Sequence, residues 1–209
     1  MIELLDNLTQ SAVTLTAFIA AGIFYYRSRQ QAFYLLACFL GCFMLGTFHW
    51  TLYILLFDTT PQVFYVSELA WNASYLFLLT MTYTLASEEE KKFRHPAMLL
   101  VPLFCLPQLA LYLTFGEIMG NLIMVGLTMT AALFAMRGFL FARRQSGPAR
   151  QKQYFHGAVL VTVFLEYGLW TSSCFWISDT LTNPYFWFDF LLSAALLALV
   201  PALKKAVTA

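Results

Sequence analysis

The sequence predicts an all-α membrane protein: a bundle of seven transmembrane helices, amino terminus outside and carboxyl terminus cytoplasmic. Three observations predict it. First, the 209-residue chain is 60% hydrophobic and 11% charged, with a mean hydropathy of +0.69, which leaves too little polar surface for solubility. Second, seven apolar stretches near the roughly 20 residues needed to cross a bilayer account for nearly the whole chain. Third, all twelve lysines and arginines lie in or close to the gaps after the first, third, fifth and seventh stretches. Cytoplasmic enrichment in Lys and Arg orients membrane proteins, so these gaps share the inner side.

The first span covers roughly residues 9 to 27 and ends in Arg27-Ser28-Arg29. The second runs roughly 31 to 57, up to Asp58, and the third roughly 62 to 86, from Pro61-Gln62 to the charged run Ser87–Lys92. The fourth, roughly 97 to 115, is interrupted by Pro107-Gln108. The fifth, roughly 117 to 142, leads to the linker-like Gln145-Ser146-Gly147-Pro148. The sixth, roughly 152 to 178, and the seventh, roughly 184 to 203, complete the set before Lys204-Lys205. Residues 1–209 thus form one seven-helix domain with no folded domain outside the bilayer. The two charged inner runs read most simply as solvated loops. The first span, opening on Met1-Ile-Glu3, lacks the basic start of a signal peptide and is expected to be retained.

The predicted outer ends carry Glu3, Asp6, Asp58, Glu117 and Asp179 with no basic residue among them. The basic inner face suits anionic headgroups rather than nucleic acid. Cys38, Cys42, Cys105 and Cys174 all lie within apolar stretches, which points to small-residue packing and not to a disulfide framework or zinc site. A self-comparison at a spacing of 121 residues pairs Asp58 with Asp179, Thr59 with Thr180, Phe64 with Tyr185, Tyr65 with Phe186, Glu68 with Asp189, Ala73 with Ala194 and Leu76 with Leu197. That register suggests a 3+1+3 parallel repeat joined by the fourth span. Recurrent aromatic and acidic residues at outer interfaces would give the same pairing without duplication.

Ionisable groups inside spans are costly and usually face a bundle interior or an aqueous cavity. Four stand out: His49, Glu68, Glu166 and Asp189. Counting along the helices places Glu68, Asp189 and His49 roughly 8 to 12 Å below the outer ends and Glu166 roughly 18 Å deep. Helical spacing puts Trp71, Asn72 and Tyr75 on the face of Glu68, Trp170 and Ser173 on that of Glu166, and Ser193 on that of Asp189. Cys42, Gly46, His49 and Tyr53 form a comparable stripe. If these faces converge, His49, Glu68, Trp71, Asn72, Glu166, Trp170 and Asp189 enclose an outward-opening ligand pocket. Carboxylates and indole faces favour a cation there: an organic amine, a metal ion or a proton. Paired buried groups serving as interhelical glue explain the same residues.

Enzyme chemistry finds little purchase. No zinc-hydrolase histidine set, Gly-x-Ser-x-Gly elbow or glycine-rich phosphate loop is present, and no catalytic residue or cofactor is assigned. The seventh span has no lysine for a retinal Schiff base before Lys204 at its inner end.

From Arg27 to Pro102 the pattern resembles the seven-transmembrane sensor region of bacterial histidine kinases and related signalling proteins. It is carried by Arg27-Ser-Arg29, Ala32-Phe-Tyr-Leu-Leu to His49-Trp50, Glu68-Leu-Ala-Trp71, Leu78-Leu-Thr-Met-Thr-Tyr83 and Leu99-Leu-Val-Pro102. The resemblance implies an input module in a bacterial inner (plasma) membrane, with output through a separate cytoplasmic or membrane signalling partner. Topology and the two Pro-Gln dipeptides are also similar to the three-plus-one-plus-three sugar and amino-acid carriers. The leading expectation is a sensor binding a small cationic or amphiphilic molecule in the outer half. A proton- or sodium-coupled secondary transporter and an accessory membrane subunit are the alternatives.

Overall fold

The computed structural model describes residues 2–61 and 65–208, apart from the Tyr65 side chain. Eight α-helices and one 3-10 turn follow in order: α1 Ile2–Ser28, α2 Gln31–Phe57, α3 Tyr65–Thr84, α4 Glu88–Lys92, the 3-10 turn Pro96–Leu99, α5 Leu100–Phe115, α6 Ile118–Arg143, α7 Pro148–Phe175 and α8 Pro184–Val207. No strand occurs among the described residues. Among the described residues, six segments are long and apolar enough to cross a membrane: α1, α2, the turn with α5, α6, α7 and α8. The chain is therefore a multi-pass integral membrane protein. The third expected span, α3, is not among the six; its 20 residues include Ser67, Glu68, Asn72, Ser74, Thr80, Thr82 and Thr84, which lower its hydropathy. The Gln62 and Phe64 positions of the expected Pro-Gln motif and repeat lie outside the described residues.

Local chemistry fixes the helix ends. The Glu117 carboxylate accepts from the Met119 and Gly120 N–H groups, and Asn183 accepts from Tyr185 N–H just before Pro184 opens α8. Asp58 closes α2 in the left-handed region at φ 53°. Gly147 at φ 60° turns the chain into Pro148, the first residue of α7.

Six long helices close into a ring in the order α1, α2, α3, α6, α7, α8 and back to α1. The consecutive neighbours run antiparallel, as the Gln10–Thr47, Phe39–Tyr75, Thr128–Tyr167 and Gly168–Phe188 contacts require. The two closing seams are parallel: Asp189 and Lys204 of α8 meet Gln10 and Phe24 of α1, and Glu68 and Tyr83 of α3 meet Gly120 and Phe134 of α6. Helix α5 sits outside the ring against α6 and α7. The starts of α1, α3, α6 and α8 share one end, called here the acidic end. Phe39, Leu40, Tyr75, Leu78, Leu196 and Leu199 fill the ring's middle, with dispersion and lost chain freedom setting how tightly the helices close.

Candidate functional site

Near the acidic end, α1 and α8 bury two carboxyl groups against each other. Asp6 is 1% exposed and Asp189 3%. The Gln10 amide donates to Asp189 Oδ1, and the Thr47 hydroxyl donates to Gln10 Oε1 at 2.9 Å, so α2 orients the amide that serves the acid. Asp6 and Asp189 lie near enough to influence each other, and neither Asp6 oxygen has a hydrogen-bond donor among the described residues. Two carboxylates are both acceptors, so closing them into direct contact would require a proton or a cation between them. One turn before Asp6, Glu3 lines an open cavity of about 380 Å³ with Leu4, Ile54, Asp58, Thr59 and Thr60. An acidic mouth therefore stands over the buried pair.

Glu166 lies deeper, 4% exposed, and accepts from the Tyr75 hydroxyl across the ring at 2.9 Å. It is within charge range of Asp189, and Tyr185 is within range of Asp189, Asp6, Glu3 and Glu166 together. Asp189 and Glu166 are thus both buried within reach of each other's charge.

The other expected residues lie in separate contacts. His49 Nδ1 is 3.0 Å from Ser67 Oγ, whose own proton goes to the Gly46 carbonyl at 3.1 Å. The imidazole must then donate through Nδ1. Trp71 packs its indole on Gly46, where a Cβ would fall 2.6 Å from Nε1; only glycine admits that approach. Asn72 is half-buried, with Oδ1 enclosed and unpartnered. Glu68 turns to the α3–α6 seam, where Gly120 leaves room for its carboxylate beside that of Glu117. Trp170 stands edge-on to Tyr112 of the peripheral α5 at 5.6 Å. The single chamber expected from helical spacing is divided: an i, i+3, i+4, i+7 set spans enough arc for Trp71 to meet α2 while Glu68 meets α6.

A second buried ionic cluster occupies the basic end, in a loop expected to be solvated. Ser87 caps α4, and the turn lays Glu90 down with 1% exposure. Glu90 Oε1 is 3.5 Å from His156 Nε2 of α7, beside Arg137 of α6. Lys152 donates to the Leu85 carbonyl at 2.8 Å and Arg137 to that of Lys91 at 3.3 Å, pinning the loop to α6 and α7. Gly138 makes the space: a Cβ there would lie 2.3 Å from His156 Nε2 and 2.6 Å from Glu90 Oε1. Burial pushes the Glu90 carboxyl up from its ordinary value, opposed by the charges of Lys152 and Arg137.

Sequence reasoning missed Asp6, Gln10, Glu90 and Arg137. A signal existed for the first two: Asp6, Gln10, Thr14, Ala17 and Ala21 form the buried stripe of α1, spaced by fours and threes. Glu90 carried none, because Glu88 and Glu89 read identically beside it. Among the described residues, no three His, Cys, Asp or Glu side chains converge as ligands for a metal ion. The chain matches no protein-family model, no curated protein and no solved structure.

Proposed function

We propose that this is a seven-span sensor of a small monovalent cation, a proton or a compact amine, with its acidic end outside and Lys204-Lys205 in the cytoplasm. The Asp6–Asp189 contact carries the reading: two buried acceptors, steered by Gln10 and Thr47, accept a positive charge through an acidic mouth at Glu3 and Asp58. α3 counts as the seventh span because it fills a place in the ring between α2 and α6. Occupancy ties α8 to α1, while loss of the bridging charge leaves two like charges in a dry seam and drives it apart. Cytoplasmic output then passes to a separate partner. His49 and Trp71 brace α2 against α3, and Trp170 braces α7 against α5.

The test is thermal unfolding of the purified protein across pH and across sodium, potassium and methylammonium series. A stabilising response that disappears in Asp189→Asn and Asp6→Asn supports the reading; a full response in both variants removes it.

A second reading, a cation-coupled secondary transporter built as a 3+1+3 parallel repeat, is favoured by one arrangement. The arcs α1–α2–α3 and α6–α7–α8 meet at two parallel seams, each holding an acid pair, with α5 outside. Substrate accumulation in proteoliposomes under an imposed pH gradient would favour transport over sensing.

A further inference from the structure

At the basic end, a surface groove of about 450 Å³ runs between the segment leading into α5 and the side of α6, lined by Arg94, His95, Met98, Leu99, Pro102 and Leu133. Its walls are apolar at Met98, Leu99, Pro102 and Leu133, and its basic groups gather towards the helix ends. Arg94 is exposed, and its Nη1 donates to the Lys91 and Phe93 carbonyls at 2.8 and 3.0 Å, which holds the side chain against its own loop. His95 Nδ1 accepts from the Ala97 N–H at 3.2 Å, so the other ring nitrogen carries the proton and can donate. Arg137 lies one turn along α6 from Leu133, on the same face.

Arg137 makes the arrangement unusual. It is 7% exposed, and its Nε and Nη2 groups are buried without a partner among the described residues. These two donors form the side-on edge with which guanidinium grips carboxylate or phosphate. Arg94 is near enough to repel it, and Glu90 attracts it without closing an ion pair. Arg94 and the His95 ring N–H at the groove, with the buried charge of Arg137 behind them, favour an anion there. The apolar walls call for that anion to carry a hydrocarbon chain.

We propose that this groove binds an anionic phospholipid, its phosphate at Arg94 and His95 and one acyl chain along Leu133, Pro102 and Leu99. The proposal is independent of the sensor and transporter readings. Charge complementarity and the groove's place on the lipid-facing flank of α5 and α6 select a lipid over a soluble anion.

Native mass spectrometry of the whole protein with phosphatidylglycerol and phosphatidylcholine tests it. Phosphatidylglycerol is expected to bind roughly tenfold tighter than phosphatidylcholine, a preference that Arg94→Gln removes. Leu133→Trp, which fills the groove from its apolar side, is expected to weaken both lipids. Arg137→Gln removes only a nearby buried charge and should weaken the preference less than Arg94→Gln; because Arg137 is buried, Arg94→Gln and Leu133→Trp decide the question if that variant does not fold. The double variant Lys204→Gln, Lys205→Gln, on other helices of the same end, should keep the preference. Retention of the preference in Arg94→Gln, or an equal loss in the Lys204/Lys205 variant, would overturn the assignment in favour of diffuse surface attraction. Inorganic phosphate displacing phosphatidylglycerol completely at equal concentration would overturn it in favour of a free-anion site.

Discussion

The two parallel seams of the ring hold the same chemical pairing in different surroundings. At the α8–α1 seam, Asp189 and Asp6 are both buried, with an amide fixed beside them. At the α3–α6 seam, Glu68 is half-buried beside an exposed Glu117, whose carboxylate already caps α6 through two backbone N–H groups. Glu117 is open to solvent, so the second pair is not sealed in the seam. The first pair has no such outlet. Burial, not the presence of two acids, sets the two seams apart.

The largest contrast should come from removing one acid at each seam. Asp189→Leu takes the acceptor from Gln10 and isolates Asp6, and is expected to cost about 3 kcal/mol of stability in detergent unfolding, the scale of orphaned buried polar groups. Glu68→Leu, its counterpart, should cost far less; a comparable loss would erase the distinction between seams. Gly138→Ala asks whether the buried cluster at the opposite end is as intolerant: forcing a methyl between His156 and Glu90 should cost about 2 kcal/mol by the same assay. Tyr75→Phe removes the one hydroxyl that reaches Glu166 and should cost about 1 kcal/mol. The smallest effect is expected from Glu68→Gln, within about 0.5 kcal/mol.

Glu90 adds a test by pH. Its carboxyl is raised above the ordinary value of 4.5, chiefly by burial. The native state therefore holds more protons than the unfolded chain between that value and the raised one. The Glu90 contribution to stability is fully present below 4.5 and is lost as pH rises through the raised value. Subtracting the Glu90→Gln profile from that of the unaltered protein should expose this decline; a flat difference would mean that Lys152 and Arg137 offset the burial.

The membrane bundle was legible because long apolar runs and charge gaps report the bilayer directly. α2, α6 and α8 fall within a few residues of their expected spans. α3 was legible as a helix but not as an apolar one, since the Ser, Asn and Thr residues that suit packing in the ring also dilute its hydropathy. Glu166 and Asp189 were legible from depth alone, because a carboxyl so far from water needs partners. The partners themselves were not. Asp6 resembled a terminal acid, and its burial depends on α8 lying beside α1, a contact spanning most of the chain. Glu68 and Trp71 share a stripe in sequence, yet neighbouring helices divide it.

The outlying α5 has a consequence of parity. Three antiparallel helices leave the chain at the end of the bundle opposite its start, so a second arc of three would begin inverted. One additional helix restores the direction, and α5 supplies it without taking a place in the ring. Excising α5 with its turn would therefore invert the second arc: Asp189 would part from Asp6, and Lys204-Lys205 would face away from Arg27 and Arg29.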